Sequence, residues 1–425
     1  MISGGRMYQE TVLKNNLTIV YEKIPFVRSV SFGLWIGAGS RYETKEQNGI
    51  SHFIEHMLFK GTETRTAEDI ARTIDNIGGQ INAFTGKECT CFYTKTLDED
   101  LETAIELISD MLFNSTFEYS HIETERKVIA EEISMYEDYP EEMVHDMLTE
   151  EVWSGNSLGY PILGNYYSVA GITRNDLINY MKTFYVPENS VISVAGNFDE
   201  KRLVELIEKY FGHWKSHNYC KIHAYKPWFN RSLKIKKKET EQVHMCLGFR
   251  GLKQGEENLY SLLTLNNILG GGMSSRLFQK VREELGLAYS IYSYPTAYRD
   301  VGMFTIYAAC SPQQHDEVIR HIRNEIISIT REEISDSDIE KAKNQLKGSF
   351  ILGLESTSSR MNSMGKSQLI LGKIRTPQEI LDSIDKVSKE SINEIIRYVF
   401  RPEQMGISAI GDIDIDNDIL DKIAF

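Results

Sequence analysis

Apolar residues recur at helical spacing along 66–77, 99–112, 119–138 and 173–184, and short runs of β-branched and aromatic residues lie between such stretches. This pattern predicts a chain of mixed α and β structure. The pattern also repeats. ITRNDLINYMKTFYVPENSVISVAGNFD (172–199) and VSKESINEIIRYVFRPEQMGISAIGDID (387–414) match at a constant offset of 215 residues, so Pro187 answers to Pro402, Gly196 to Gly411 and Asp199 to Asp414. Each copy reads as an amphipathic helix, a Pro break, a short apolar strand and a Gly turn. A weaker match joins VSFGLWIGAGSR (30–41) to VHMCLGFRGLKQ (243–254), each a strand running into a Gly-containing loop. The expected class is α+β: two similar α/β sandwich domains related by internal duplication, at 1–215 and 236–425, with a linker at 216–235. Around that linker stand Pro227 and Asn230, and at its end Lys234, Lys236, Lys237 and Lys238 read as a solvated strand edge.

Composition narrows the class of protein. The 425 residues are 41% hydrophobic and 25% charged, in the ordinary range for a folded chain, and no segment reaches the ~18 consecutive apolar residues of a membrane span. The net charge of −14 opposes adhesion to nucleic acid, so neither nucleic acid nor membrane is an expected partner. The acidity belongs to the first half: residues 1–215 carry 19 basic and 34 acidic side chains, whereas 216–425 carry 28 and 27. Five scattered cysteines (Cys89, Cys91, Cys220, Cys246, Cys310), and a first segment MISGGRMYQE without a signal-peptide core, point to a reducing, cytoplasmic compartment. Cys89 and Cys91 read as small buried thiols on one strand face. The glycines of LNNILGGGMSSR (265–276) lack the ending of a phosphate loop and read as a turn or a close backbone approach.

The chemistry concentrates in GISHFIEHMLF. His52, Glu55 and His56 fall at i, i+3 and i+4 of a predicted helix, so one face presents two imidazoles and a carboxylate. That is the geometry in which two histidines hold zinc while the Glu reaches its water, and H-x-x-E-H is the reversed form of the zinc-protease signature. A third protein ligand must come from elsewhere. Helix 119–138 offers Glu125 and Glu132, seven apart on one face, and Glu123 and Glu131 on others; spacing alone leaves the choice open. The matching place in the second half, LYSLLTLNNILGGG, has no histidine, so one metal site per chain is expected.

HFIEHMLFKGT, GGQINAFTGKECTCFYTKTL, ERKVIAEEISMYED and SSRLFQKVREELGLAYSIYSY together resemble the pitrilysin family of inverted-motif zinc peptidases, closest to its bacterial processing-peptidase branch, which is similar to the catalytic subunit of mitochondrial processing peptidase. The resemblance implies a zinc endopeptidase with His52, His56 and Glu132 as metal ligands, Glu132 standing 76 residues beyond His56 as the family's third ligand does. It implies Glu55 as the catalytic base, Glu125 as a support behind the ligands, and Arg282 and Tyr289 of KVREELGLAYS as a grip on the substrate backbone. It further implies that Asn82, Ala83 and Phe84 lie on an edge strand that pairs with a bound peptide. Full-length relatives carry four such domains, so a chain with two implies a two-chain chamber, a homodimer in first place, with Arg282 and Tyr289 acting in trans. The competing expectation is a non-catalytic core or interaction subunit, or a peptide-binding partner in a heterodimeric processing peptidase.

Overall fold

The computed structural model describes residues 8–216, 224–413 and 419–422; Cys220, Asp414 and the first seven residues lie outside them. In chain order the strands are β1 (Gln9–Val12), β2 (Thr18–Lys23), β3 (Ser29–Ile36), β4 (Gln80–Thr85), β5 (Thr90–Leu97), β6 (Ser190–Gly196), β7 (Ser232–Lys237), β8 (Val243–Gly251), β9 (Ala288–Ala297), β10 (Gly302–Cys310) and β11 (Met405–Gly411). The helices of the first half are α1 (Ile50–Leu58), α2 (Ala67–Asn76), α3 (Leu101–Asn114), α4 (Tyr119–Asp138), α5 (Pro140–Val152), α6 (Tyr166–Gly171), α7 (Arg174–Phe184) and α8 (Glu200–Phe211). Those of the second are α9 (Leu259–Leu269), α10 (His315–Arg331), α11 (Asp336–Gly353), α12 (Thr357–Leu371), α13 (Pro377–Asp385), α14 (Lys389–Val399) and the short α15 (Ile419–Lys422).

The strands form two sheets, ordered β1-β2-β6-β3-β5-β4 and β7-β11-β8-β10-β9. In each, one pair is parallel, β2 with β6 and β7 with β11, and the remaining pairs are antiparallel. The second sheet is thus the first without β1. The two apolar strands that repeat at the 215-residue offset, β6 and β11, are buried throughout and occupy the same place in their sheets. The fold is the α+β duplication that the sequence pattern predicts.

A single cut of the chain does not describe the two compact units. The first comprises the described residues of Met1–Ser134, Tyr160–Ala224 and Leu352–Thr376, and the second those of Met135–Gly159, Tyr225–Ile351 and Pro377–Phe425. Helices α5 and α12 are therefore exchanged: α12, from the second half of the sequence, packs on β3 and β6 of the first sheet, and α5, from the first half, packs on β8 and β11 of the second. Each sheet consequently has two covered faces. In the first unit, Phe32, Leu34 and Val194 pack with Phe53, Ile105, Leu177 and Ile207 on one side, and Val20, Trp35 and Val191 meet Met361 and Met364 of α12 on the other. Close approach is possible because α12 carries Gly365 opposite Trp35; a Cβ there would sit 2.2 Å from the indole nitrogen. In the second unit, Met245, Leu247 and Phe249 pack with Leu265, Ile322 and Ile396, while Cys246, Tyr307 and Ile410 meet Val144, Leu148 and Val152 of α5. Burying each such large apolar side chain contributes roughly 1.5–3 kcal/mol.

Several local expectations have direct structural counterparts. β7 is the edge of the second sheet, and its lysines are paired: Lys234 with Glu151 at 2.8 Å and, just beyond it, Lys238 with Asp138 at 3.0 Å. Ahead of β7, Phe229 packs edge-on against Trp153 at 5.3 Å, so this part of the connecting stretch is tied into the second unit. The triple glycine ends α9, and the Gly270 carbonyl accepts from the Ser293 N–H at 3.0 Å, a close approach to β9. Cys89, Cys91, Cys246 and Cys310 are all buried.

Candidate metal centre

Helix α1 is anchored before its functional face is built. Gly49, at φ 95°, takes the left-handed conformation that turns the chain into the helix. The buried Glu43 carboxylate accepts from the backbone N–H of Gly49 at 2.7 Å and of Ser51 at 2.9 Å, and from Asn48 Nδ2 at 2.8 Å. A carboxylate here satisfies N–H groups that have no partner within the helix and lies at the positive end of its dipole. Phe53, Ile54, Met57 and Leu58 are buried in the core. That orientation leaves His52, Glu55 and His56 half-buried on the other side.

The two histidines, one turn apart, bring their Nε2 atoms to 3.2 Å. From α4, Glu132 Oε2 lies 3.8 Å from His52 Nε2 and 3.5 Å from His56 Nε2. Among the described residues this trio is the one group of His, Cys, Asp or Glu whose ligand atoms converge in this way. Ile122, Ile129 and Ile133 bury one side of α4 and so fix its rotation. Of the two adjacent carboxylates in the sequence, Glu132 meets the imidazoles, while Glu131 is exposed. Glu123 is engaged by Arg126 at 3.3 Å.

The donor set can be tested against a zinc ion. Nitrogen and oxygen ligands ~2.0–2.2 Å from a tetrahedral metal lie about 3.3–3.6 Å from one another, and the observed separations of 3.2, 3.5 and 3.8 Å bracket that range. Glu132 Oε2 is buried and accepts no hydrogen bond, an arrangement that costs free energy unless a cation balances it. Burial, reinforced by the charge of His56, holds His52 down at about 3, so its ring is neutral and its lone pair free near neutral pH. The residues fit zinc.

Around the trio the remaining groups have defined partners. His56 Nδ1 donates to Glu125 Oε2 at 3.0 Å, and Glu125 Oε1 accepts from Lys60 Nζ at 2.8 Å. Glu55 Oε2 accepts from Thr85 Oγ1 at 2.5 Å. Burial raises the Glu55 carboxyl above its ordinary range; the Thr85 hydrogen bond and His56 oppose that shift, and Glu132 adds to it. Thr85 ends β4, the edge of its sheet, which among the described residues pairs only with β5. Along β4, Asn82 and Phe84 are exposed and Ala83 is half-buried, its N–H held by Asn82 Oδ1 at 2.8 Å. In the second unit, Arg282 lies on a π-helical segment, Phe278–Glu284, with its guanidinium 4.8 Å from the Phe278 ring and 5.9 Å from that of Tyr289. Tyr289 is 72% exposed near the start of the edge strand β9. The structure thus gathers His52, Glu55, His56, Glu125 and Glu132 in the first unit, and Arg282 with Tyr289 in the second.

Two neighbours escaped the sequence reading. Lys60 continues the four-residue spacing of His52 and His56, and Thr85 continues the alternation of Ile81 and Ala83 along β4, so both carried a periodic signal.

Known proteins resemble this chain over most of its length. Residues 18–165 match the family model described as insulinase (peptidase family M16), and 171–346 match the peptidase M16 inactive domain. A protein of Bacillus subtilis (strain 168), named an uncharacterized zinc protease, is 46% identical over 394 residues, 93% of this chain and 96% of its own length. This chain belongs to peptidase family M16. The M16 fold is confirmed by a protease from Helicobacter pylori, with a TM-score of 0.91 at 20% identity over 95% of this chain and 99% of that one. A chain of complex III2 from Candida albicans has the same fold, with a TM-score of 0.85 at 21% identity, covering 98% and 99%. As an M16 member with relatives named zinc proteases, the chain is of the zinc-protease type, with zinc as its cofactor. None of its described helices is long and apolar enough to cross a membrane.

Proposed function

We propose that this M16 chain is a zinc endopeptidase that hydrolyses unfolded peptides, and the observation that carries the reading is the convergence of His52 Nε2, His56 Nε2 and Glu132 Oε2. These three residues hold the zinc. When bound, it supplies Lewis acidity, which polarises a scissile carbonyl and acidifies water.

The chain's own groups do the rest. Glu55, one helical position before His56, takes the proton of the attacking water at the oxygen that Thr85 leaves free and returns it to the leaving amine. Thr85 fixes that carboxylate by bonding its other oxygen. The substrate lies as an added strand along β4, past Asn82, Ala83 and Phe84; main-chain pairing there gives affinity with broad side-chain tolerance. Pairing at this edge displaces the Asn82 side chain from the Ala83 N–H. Arg282 and Tyr289 grip the substrate and the developing oxyanion. The exposure of Tyr289 and its contact with the Arg282 guanidinium support a shared role.

In this reading two copies assemble into a chamber, each supplying Arg282 and Tyr289 to the other's zinc. Widely scattered, buried cysteines suit a reducing, cytoplasmic setting. The test is mass spectrometry of a mixed peptide library with and without a chelator, beside light scattering. Chelator-sensitive cleavage by a dimer is expected; an active monomer contradicts the two-chain assembly, and the absence of any cleavage contradicts the enzyme.

A further inference from the structure

Glu125 is the most enclosed carboxylate beside the metal-binding trio: its side chain is 3% exposed, against 32% for Glu132. Both of its oxygens are taken. Oε2 receives the His56 Nδ1 proton at 3.0 Å and Oε1 binds the Lys60 ammonium at 2.8 Å. His52 has no matching support, because its Nδ1 is buried without a hydrogen-bond partner. Outer support of the two imidazoles therefore runs through one chain of groups, Lys60 to Glu125 to His56.

The local backbone places Lys60 for this contact. As α1 ends, the Phe59 N–H bonds the His56 carbonyl at 3.2 Å and the Lys60 N–H bonds the Met57 carbonyl at 3.1 Å, a tightened last turn. The chain stays wound for one more residue than α1 itself, and Lys60 follows His52 and His56 at intervals of four. Its stem crosses toward α4 while 35% of the side chain stays exposed.

We propose that Lys60 is a positioning residue of the zinc site. Its ammonium pins Glu125 Oε1, which turns Oε2 toward His56 Nδ1, so that the imidazole is held in one tautomer with Nε2 bare and aimed at His52 and Glu132. Simple Coulomb repulsion makes the opposite forecast. A lysine close to a divalent cation weakens its binding, and removing that lysine strengthens it. The sign of the effect separates the two.

The inference rests on the zinc reading, and its test measures metal binding rather than cleavage. The full chain, stripped with a chelator, is titrated with Zn²⁺ in competition with a chromophoric chelator, while circular dichroism and urea unfolding establish that each variant is folded. Lys60→Met weakens zinc binding about tenfold, and Lys60→Arg, which keeps the charge and the donors, stays within about threefold of wild type. In a Glu125→Gln background, Lys60→Met weakens binding no further. Lys60→Gln replaces Lys60→Met should the latter fail to fold. Equal or tighter binding by folded Lys60→Met, or the same loss in the Glu125→Gln background, overturns the role of Lys60 and leaves the zinc site standing. Wild-type protein that takes up no zinc overturns the site itself, and Lys60 with it.

Discussion

Ser193 Oγ donates to the Met361 carbonyl at 2.8 Å, tying β6 to the exchanged helix α12. At the duplicated position, Ser408 Oγ of β11 donates to the Val144 carbonyl of α5 at 2.7 Å. Both serines are fully buried and stand 215 residues apart, so the duplication extends to the hydrogen bond that fastens each swapped helix. Two glycines test this account of the packing with opposite signs. Gly365→Ala, where the new Cβ meets the Trp35 ring, lowers stability by about 1–3 kcal/mol. Gly348→Ala, in α11 with nothing within 4 Å, leaves stability unchanged or raises it by up to ~1 kcal/mol. Urea unfolding followed by tryptophan fluorescence measures both.

Glu132 and Glu131 provide a test of side-chain direction. Glu132→Ala removes one of the three converging donors and lowers zinc affinity by at least about a hundredfold, whereas Glu131→Ala, exposed on another face, retains wild-type zinc. Elemental analysis of the dialysed proteins decides. Equal zinc in both variants rejects Glu132 as a ligand.

In the proposed mechanism Thr85 acts on the base rather than the metal. Thr85→Val keeps the shape and the strand pairing but loses the donor to Glu55 Oε2; the account predicts a fall in kcat of about tenfold with KM and zinc content unchanged. Thr85→Ser restores most of the rate. Steady-state kinetics with one quenched peptide reads out the split, and an unchanged kcat in Thr85→Val removes the role.

The second unit holds a titrating group that contributes to its acid stability. His145, on α5, has Nδ1 at 2.7 Å from Tyr294 OH and 3.2 Å from Cys246 Sγ, Nε2 at 3.4 Å from Tyr292 OH, and its ring stacked on Tyr307 at 5.1 Å. Burial holds its pKa down at about 4; Asp146 opposes the shift and His244 adds to it. Since an unfolded histidine titrates near ~6.5, the unfolded chain binds a proton that the folded one refuses as the pH falls through this window. Stability contributed by the neutral ring is complete above ~6.5 and is lost between ~6.5 and about 4. After allowance for solvent screening, His145→Gln removes on the order of 1–2 kcal/mol of the difference in unfolding free energy between about pH 7.5 and about pH 5. Identical pH slopes for the two proteins contradict this assignment.

Local periodicity made much of the fold legible. Helix 119–138 has the predicted limits, and the 215-residue repeat found β6 and β11 as equivalent apolar strands, because each is specified by its own apolar pattern. The exchange of α5 and α12 was not legible. An amphipathic helix shows which of its faces is apolar and not which sheet receives it, and Gly365 acquires meaning only opposite Trp35. At the site, the i, i+4 histidines were readable because one helix holds both. Glu132 against Glu131 required the rotation of α4, which Ile122, Ile129 and Ile133 settle by packing. Lys60 and Thr85 stood in plain view within the motifs, but their partners are 65 and 30 residues away in the chain.

Paired measurement of zinc content and peptide turnover in wild type, Glu55→Gln and His56→Ala tests the central claim most directly. The account predicts one zinc per chain and chelator-sensitive cleavage in wild type, zinc retained with turnover lost by several orders of magnitude in Glu55→Gln, and both lost in His56→Ala. Cleavage by Glu55→Gln at the wild-type rate, or a full complement of zinc in His56→Ala, contradicts it.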